Sequence, residues 1–218
     1  MRYVAESARA SELAAALNKQ TYFFYGSLMD VDLLEAVLGR KADHLSFLPG
    51  WLDGYAVERA AGYTFPTLVE SRTGRVNGVL TRGLTPDDAE RVAFFEDEDY
   101  EQIVLDISTA DSDISARLYV ASPRLKSSGE SWSFDRWRKH DKPLLLAITR
   151  KLMRDHYGIT PISEIDAVWH RIKAEIEAEM HAPVPLKPKR PARTAAATPA
   201  APRRAKRATS PARRPRGS

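Results

Sequence analysis

The sequence predicts an α+β fold in which a closed or strongly twisted mixed β-sheet is flanked by helices. Most strand candidates lie between residues 45 and 121, where turn signals separate short apolar runs. Helical patterns are interspersed with these strands and are then gathered at the C-terminal end of the chain. Strict alternation of strands and helices is missing, so a doubly wound parallel sheet is disfavoured.

The first predicted elements are a buried strand and a helix that are joined by a glycine turn. The apolar run of residues 21–25 predicts the strand, and Gly26 begins the turn. Asp30 then precedes a helix over residues 31–38, and Gly39 supplies its stop signal.

A β-rich stretch follows, in which four strands are predicted over residues 45–48, 55–59, 67–70 and 76–82. The turn signals between them are Pro49-Gly50, Asp53-Gly54, Gly62 and Thr73-Gly74. Thr85-Pro86-Asp87-Asp88 then predicts a helix start, because Thr85 can cap, Pro86 suits the first helical position and the acids complement the helix dipole. That helix is predicted to end near Phe95.

Two further strands are predicted over residues 100–108 and 114–121. A long helical pattern then runs from the cap at residues 131–133 to Tyr157, and Pro143 is expected to kink or divide it. A final helix is predicted over about residues 162–180. The tryptophans Trp132, Trp137 and Trp169 are interpreted as core or helix-packing residues.

The two ends of the chain are predicted to lie outside a domain of residues 21–158 and a C-terminal helix of residues 159–181. Residues 1–20 predict a short helical extension without the apolar run of a secretory signal. Residues 182–218 hold eleven Lys and Arg, no acid and almost nothing to bury, so this tail is expected to be disordered. Subtracting these eleven from the 33 basic residues leaves 22 against 29 acids, a net charge of −7 for residues 1–181.

Composition and motifs exclude several classes of chemistry. The chain has no cysteine, so disulfides, thiolate metal sites and a cysteine nucleophile are excluded. Its five histidines stand apart, and the common phosphate-loop, dinucleotide and zinc-protease motifs are missing, so neither a metal nor a cofactor is predicted. No apolar stretch reaches the length of a membrane span. A soluble cytoplasmic protein is therefore expected.

Two segments combine the residue types needed for proton transfer on a small zwitterion. A glycine turn after the first strand would aim backbone N–H groups at an anion. Glu96 follows Phe94 and Phe95 and precedes three acids, so burial and like charge should both raise its pKa. A carboxyl group with a raised pKa can both accept and donate a proton near neutrality.

Five motifs in order resemble the γ-glutamylcyclotransferase-like superfamily, and specifically its AIG2-like branch. They are Tyr25-Gly26-Ser27-Leu28, Phe65-Pro66-Thr67-Leu68-Val69, Val76-Asn77-Gly78-Val79-Leu80, Phe95-Glu96 with Tyr100 four residues on, and Arg117-Leu118-Tyr119-Val120. The resemblance covers about residues 21–121, with residues 132–137 as an extension.

The resemblance implies a closed β-barrel flanked by helices and a cyclisation that needs no cofactor. In this family the α-amine of a γ-glutamyl amine or peptide attacks its own γ-carbonyl group, which releases 5-oxoproline and the amine. Glu96 would be the general acid and base. The backbone of Tyr25, Gly26, Ser27 and Leu28 would hold the substrate carboxylate or the oxyanion. Tyr100 and Tyr119 would line the pocket, although packing is an alternative role for Tyr119.

Alternatives remain open at this stage. Relatives commonly carry Gly where this chain has Asp97, and a basic residue near Glu101 and Gln102. These departures leave open a non-catalytic ligand- or partner-binding protein on the same scaffold. The acids Asp97, Glu98 and Asp99 are interpreted as a solvated loop. The basic tail is typical either of a solubilising extension or of an arm that makes weak, non-specific contact with nucleic acid or an anionic surface. The sequence fixes neither the released amine nor the oligomeric state.

Overall fold

The computed structural model describes residues 21–181. The predictions for residues 1–20 and 182–218 lie outside the described residues. The strands of the described part are β1 Tyr22–Phe24, β2 Ser46–Ala60, β3 Pro66–Arg82, β4 Tyr100–Ser108, β5 Asp113–Ala121 and β6 Ser127–Ser131. Its α-helices are α1 Val31–Leu38, α2 Pro86–Glu96, α3 Phe134–His140, α4 Lys142–Asp155 and α5 Ile165–His181.

Five of these strands close into a mixed barrel. The hydrogen-bonded order is β3-β1-β5-β4-β2, and β2 pairs with β3 to complete the ring. The pairing of β1 with β5 is parallel, whereas the other pairings around the ring are antiparallel. Strand β6 is added outside the ring, on β2. The predicted α+β fold with a closed sheet is therefore confirmed.

Local sequence signals confirm the predicted bounds of α1 and α2. The Asp30 side chain accepts a hydrogen bond from the Leu33 amide at 3.2 Å, and Gly39 ends α1 in the left-handed conformation, with φ +69°. Helix α2 begins with a reciprocal capping box between Thr85 and Asp88. The strands predicted near residues 21–25, 100–108 and 114–121 are also confirmed.

The prediction of four short strands between residues 45 and 82 is wrong, because they are two long strands. The signals at Pro49-Gly50, Asp53-Gly54 and Thr73-Gly74 lie within β2 and β3, and the chain reverses only around Gly62. Gly50 pairs with Gly78 across the two strands. A Cβ at Gly50 would lie 2.9 Å from Ile107 Cγ2, and one at Gly78 would lie 2.5 Å from Phe23 Cζ. These glycines permit close approach inside the barrel rather than a turn.

Gly54 has a different role in the same pair of strands. The register between β2 and β3 shifts between Asp53 and Tyr55, and Gly54 lies at that bulge with φ +85°. A bulge increases the local bend and twist of a strand. It therefore helps the long strands to curve around the barrel.

The C-terminal helical patterns are confirmed with small changes in their bounds. The long pattern is divided at Asp141, and Pro143 lies in the first turn of α4, as the sequence predicted. The final helix begins at Ile165 after a short 3-10 turn, Ile162–Glu164. Strand β6 was not predicted, because its polar residues, Ser127–Ser131, are exposed and carry no apolar pattern. No helix within residues 21–181 combines the length and apolar character needed to cross a membrane.

Side chains of β1 alternate between two hydrophobic clusters. Phe23 and Tyr25, which directly follows β1, belong to a cluster whose other buried members all lie in strands, as expected for the barrel interior. Tyr22 and Phe24 belong to a larger cluster with helix residues, including Trp137 and Ile172. Helix α5 thus contributes to the same core as the other helices. The expected boundary at residue 158, between the domain and the C-terminal helix, stays a prediction.

We predict that Gly78→Ala lowers the free energy of unfolding by about 1–3 kcal/mol, because the added methyl group must displace the Phe23 ring or the Phe24 backbone. Urea unfolding followed by fluorescence would measure the change. The neighbouring Asn77→Ala is the matched control, since Asn77 is exposed on the same strand. A loss for Gly78→Ala no larger than that of the control would contradict the close packing.

Candidate active site

The structure brings all seven residues predicted for the site to the lining of one pocket. They are Tyr25, Gly26, Ser27, Leu28, Glu96, Tyr100 and Tyr119, and Phe23, Phe24 and Pro66 complete the lining. The empty space is about 350 Å³, including the mouth. We call it the glycine-turn pocket. Their proximity is a finding, whereas their roles in catalysis stay predictions.

The glycine turn forms one wall of this pocket. The Gly26 carbonyl accepts a hydrogen bond from the Met29 amide at 3.1 Å, which begins a 3-10 turn over Ser27–Met29. The amides of Ser27 and Leu28 begin this turn, where helical geometry offers them no intrahelical acceptor. A Cβ at Gly26 would lie 2.6 Å from Pro66 Cγ, so glycine lets Pro66 close over the turn. This wall therefore presents backbone donors suited to an anion.

Glu96 reaches the pocket from the opposite segment, as the last residue of α2. The start of this helix is anchored by Asp88, whose side chain is fully buried and contacts Arg40 Nη2 at 2.6 Å. Burial acts to raise the pKa of Asp88, but hydrogen bonds from Arg40 and Thr85 hold it at about 2. A fixed ion pair at one end of α2 thus supports the carboxyl group at the other end.

Asp97 adopts a backbone conformation that normally favours glycine, with φ +47°. Its Oδ1 accepts a hydrogen bond from the Asp99 amide at 2.6 Å. Short polar side chains stabilise such turns by this kind of local hydrogen bond. The departure from Gly at this position therefore keeps a tight turn directly after Glu96.

The electrostatic setting of Glu96 favours its protonated form. Burial, followed by the like charge of Asp97, raises the pKa of Glu96 to about 8. Within residues 21–181 no hydrogen bond to its carboxyl group offsets this effect. Burial and the neighbouring acids also raise the pKa of Asp97 to about 7. The pKa of Glu96 is thus shifted upward, which is the direction that the sequence predicts.

The three tyrosines of the pocket have different hydrogen-bonding capacity. Tyr25 donates its hydroxyl proton to the Tyr119 carbonyl oxygen, and Tyr100 donates to the Pro66 carbonyl oxygen, both at 2.6 Å. The Tyr119 hydroxyl accepts from Gln102 Nε2 at 3.1 Å and keeps its own proton for another acceptor. Burial, and after it the charge of Glu96, raises the pKa of all three. Toward a ligand, Tyr100 is an acceptor and Tyr119 is a donor.

A second space adjoins the first and shares Ser27, Glu96 and Tyr100 with it. Its other walls are Tyr63, Phe65, Phe95, Asp97, Asp99, Leu145, Asp166 and Trp169, around about 530 Å³ of empty space. We call it the acidic chamber. Only one charged residue of its lining, Glu96, was predicted as a site residue.

The acidic chamber corrects one sequence-based interpretation and extends another. Glu98 is exposed, as expected of a solvated loop, but Asp97 and Asp99 are partly buried and line the chamber. Trp169 packs against the helix cluster, as predicted, and also faces the chamber. A usable signal was the three-residue spacing of Asp166 and Trp169 on the final helix, which places them on one face.

Comparison with known proteins gives one family match and several relatives. The sequence model of the family described as gamma-glutamyl cyclotransferase, AIG2-like, matches residues 22–139. AIG2-like protein C of Arabidopsis thaliana is 30% identical over 138 residues, which cover 61% of this chain and 77% of that protein. AIG2-like protein B of the same plant is 28% identical over 136 residues, which cover 61% and 77%. The resemblance seen in the motifs is thereby confirmed.

A solved structure with a related sequence also comes from Arabidopsis thaliana. This solution structure is 26% identical to the chain, with a TM-score of 0.44, and the match covers 64% of this chain and 86% of that one.

We predict that Glu96→Gln raises the free energy of unfolding, and that the gain grows between pH 5 and pH 8. In the folded protein the pKa of Glu96 is about 8, above the ordinary value of 4.5. As the pH rises between these values, Glu96 ionises in the unfolded chain but not in the folded one. This stabilises the unfolded wild-type chain and lowers its free energy of unfolding. Glutamine does not ionise, so the free energy of unfolding of the variant is not lowered in this way. The resulting difference from wild type is on the order of 3 kcal/mol at pH 7.

Urea unfolding of both proteins at pH 5, 6, 7 and 8 measures this difference. Glu98→Gln is the matched control, because Glu98 is exposed two residues along the chain. If the free energies of unfolding of Glu96→Gln and wild type changed equally with pH over this range, the pKa of Glu96 would not be raised by folding.

Proposed function

Because the chain belongs to the gamma-glutamyl cyclotransferase, AIG2-like family, we propose that it cyclises a γ-glutamyl amine or peptide to 5-oxoproline and releases the amine. The observation that carries this proposal is the convergence of Glu96 and the glycine turn on one pocket, from segments about seventy residues apart. A small-molecule substrate suits a pocket in which a few polar groups converge among apolar and aromatic side chains.

The proposed reaction needs an oriented substrate rather than a protein nucleophile. Its nucleophile, the α-amine, is already tethered to the γ-carbonyl group by the glutamyl chain. Holding that chain in a folded conformation gives an intramolecular attack, for which orientation alone can lower the barrier by several kcal/mol. The backbone donors of Ser27 and Leu28 would hold the α-carboxylate or the oxyanion that forms at the γ-carbonyl oxygen.

Glu96 would carry the proton through the reaction. Its carboxylate removes a proton from the substrate ammonium, and the freed amine forms a bond with the γ-carbon. The resulting acid gives this proton to the amide nitrogen as its bond to the γ-carbon breaks, and the regenerated carboxylate takes the second proton from the ring nitrogen. This second proton also leaves with the amine, so the products are 5-oxoproline and an ammonium ion. One group with a pKa of about 8 is suited to both steps near neutrality. The Tyr100 oxygen, an acceptor, could receive a second hydrogen bond from the ammonium group.

A binding protein without turnover is the second candidate, and Asp97 is the reason to retain it. This residue adds a second carboxyl group directly beside Glu96, in the lining of the acidic chamber. Purified protein that binds a γ-glutamyl ligand but releases no 5-oxoproline would support this alternative.

We predict that Glu96→Gln lowers kcat for 5-oxoproline release by at least about 100-fold, which is the scale of a lost general acid and base. Chromatography of 5-oxoproline released from a panel of γ-glutamyl amines and dipeptides measures the change. Glu98→Gln is again the control and should retain activity, because its side chain is exposed and pairs with Arg124. Turnover by Glu96→Gln close to that of wild type would refute the proposed mechanism.

The pH dependence of kcat/KM gives a separate prediction. The active free enzyme carries ionised Glu96, so kcat/KM should rise about tenfold per pH unit below pH 8 and level off above it. Asp97→Asn should move the rise to lower pH, because it removes the like charge that raises the pKa of Glu96. Asparagine retains an oxygen that can accept from the Asp99 amide. A flat profile, or a rise displaced to higher pH in the variant, would contradict this assignment.

A further inference from the structure

We propose that the acidic chamber binds the leaving amine, and that it selects an amine with a second positive charge on an apolar body and without a carboxylate. The proposal rests on the proposed function and adds the chemical class of the released group. It is argued from the position of the chamber, its charge and its aromatic walls.

The position of the chamber follows from the residues that it shares with the glycine-turn pocket. Ser27, Glu96 and Tyr100 belong to both linings. With the glutamyl group in the glycine-turn pocket, the amide nitrogen must lie near Glu96, which protonates it. The group attached to that nitrogen then extends past Glu96, and the chamber is the adjoining space.

All the charged residues that line the acidic chamber are acids. Its lining contains four carboxyl groups, Glu96, Asp97, Asp99 and Asp166, and no Lys, Arg or His of residues 21–181. Three basic residues lie outside the lining but near it, and one of them, Lys173, has its Nζ 5.4 Å from the centre of the Trp169 ring. Arg124 pairs with the exposed Glu98, and His170 Nε2 lies 3.3 Å from Asp166 Oδ1 at the exposed mouth. A ligand carboxylate would therefore be repelled, and a ligand cation would be attracted.

The unpaired carboxyl group of Glu96 is a second indication of a cationic ligand. Glu96 is partly buried, faces both spaces and has no hydrogen-bond partner within residues 21–181. Burial raises the pKa of Asp97 and Asp99 as well. Asp97 Oδ1 accepts a hydrogen bond from the Asp99 amide, whereas the carboxyl groups of Glu96 and Asp99 have no such partner within residues 21–181, and a cation in the chamber would supply one.

The aromatic walls suit the apolar body of such an amine and add attraction for its charge. The Tyr63 and Phe65 ring centres lie 4.6 Å apart, and Trp169 lies 6.0 Å from Tyr63 and 6.4 Å from Phe65. Faces of aromatic rings attract ammonium groups. Acids beside aromatic faces therefore match an aliphatic or aromatic diamine better than an amino acid or a dipeptide.

The helix that carries Asp166 and Trp169 lies beyond residues 22–139, the part that matches the family model. The chamber is therefore completed by residues of this chain that the family match does not include.

Three γ-glutamyl amides of similar length test the proposal, with N-(4-aminobutyl), N-pentyl and N-(4-carboxybutyl) leaving groups. Release of 5-oxoproline by the full chain at pH 7.5 should give kcat/KM highest for the ammonium compound, about tenfold lower for the methyl compound and lowest for the carboxylate. Equal values for the three, or a preference for the carboxylate, would overturn the proposal while the cyclisation stands. Release from none of them would overturn the proposed function, and this proposal with it.

Variants connect the selectivity with the chamber. Asp99→Asn and Trp169→Leu should each lower the ratio of kcat/KM between the ammonium and methyl compounds by threefold or more. Glu175→Gln on the same helix is the control, because Glu175 pairs with Lys151 outside the chamber, and its ratio should stay at the wild-type value. A ratio unchanged in both chamber variants, as judged on folded protein by circular dichroism, would exclude the chamber as the source of selectivity.

Discussion

The partial burial of an unpaired carboxylic acid at the end of α2 is the constraint on which the rest of the site depends. Glu96 lies among protein atoms that favour its neutral form, and the folded chain must hold it there. The capping box and the Asp88–Arg40 ion pair fix the start of the helix. The turn at Asp97 fixes its end. The group is thereby kept near the glycine turn, in a state that can exchange a proton at neutral pH.

The barrel supplies the second half of the site through close contacts that only glycine allows. Gly78 lets the Phe23 ring approach β3, and Gly26 lets Pro66 close over the turn that follows β1. The alternation of β1 directs Phe23 and Tyr25 inward, and the Tyr25 hydroxyl bonds to the backbone of β5. The backbone donors of the turn are therefore held by the same packing that closes the sheet. Fold and site have a common physical origin here.

The parts of the structure that could be predicted from the sequence are those with local signals. Asp30, Gly39 and Thr85 mark helix ends by hydrogen bonds to neighbouring residues, and these bounds were correct. Gly50 and Gly74 were misread as turns because a glycine in a strand and a glycine in a turn look alike until the partner strand is known. The acidic chamber was missed for a similar reason. Asp99 and Trp169 are seventy residues apart, and only the packing of α5 brings them together.

The backbone conformation of Asp97 limits how this position can change. With φ +47° and ψ −146°, Asp97 lies in a region that normally only glycine enters without strain, and the hydrogen bond from the Asp99 amide to its Oδ1 holds it there. Codons for Asp, Asn and Gly are linked by single-nucleotide substitutions, so a lineage can exchange a charged, a neutral and a side-chain-free residue without passing through a misfolded intermediate. Each exchange would alter the local charge next to Glu96 while the backbone stayed the same. The proton chemistry of this site can therefore be retuned by substitution at one residue beside Glu96.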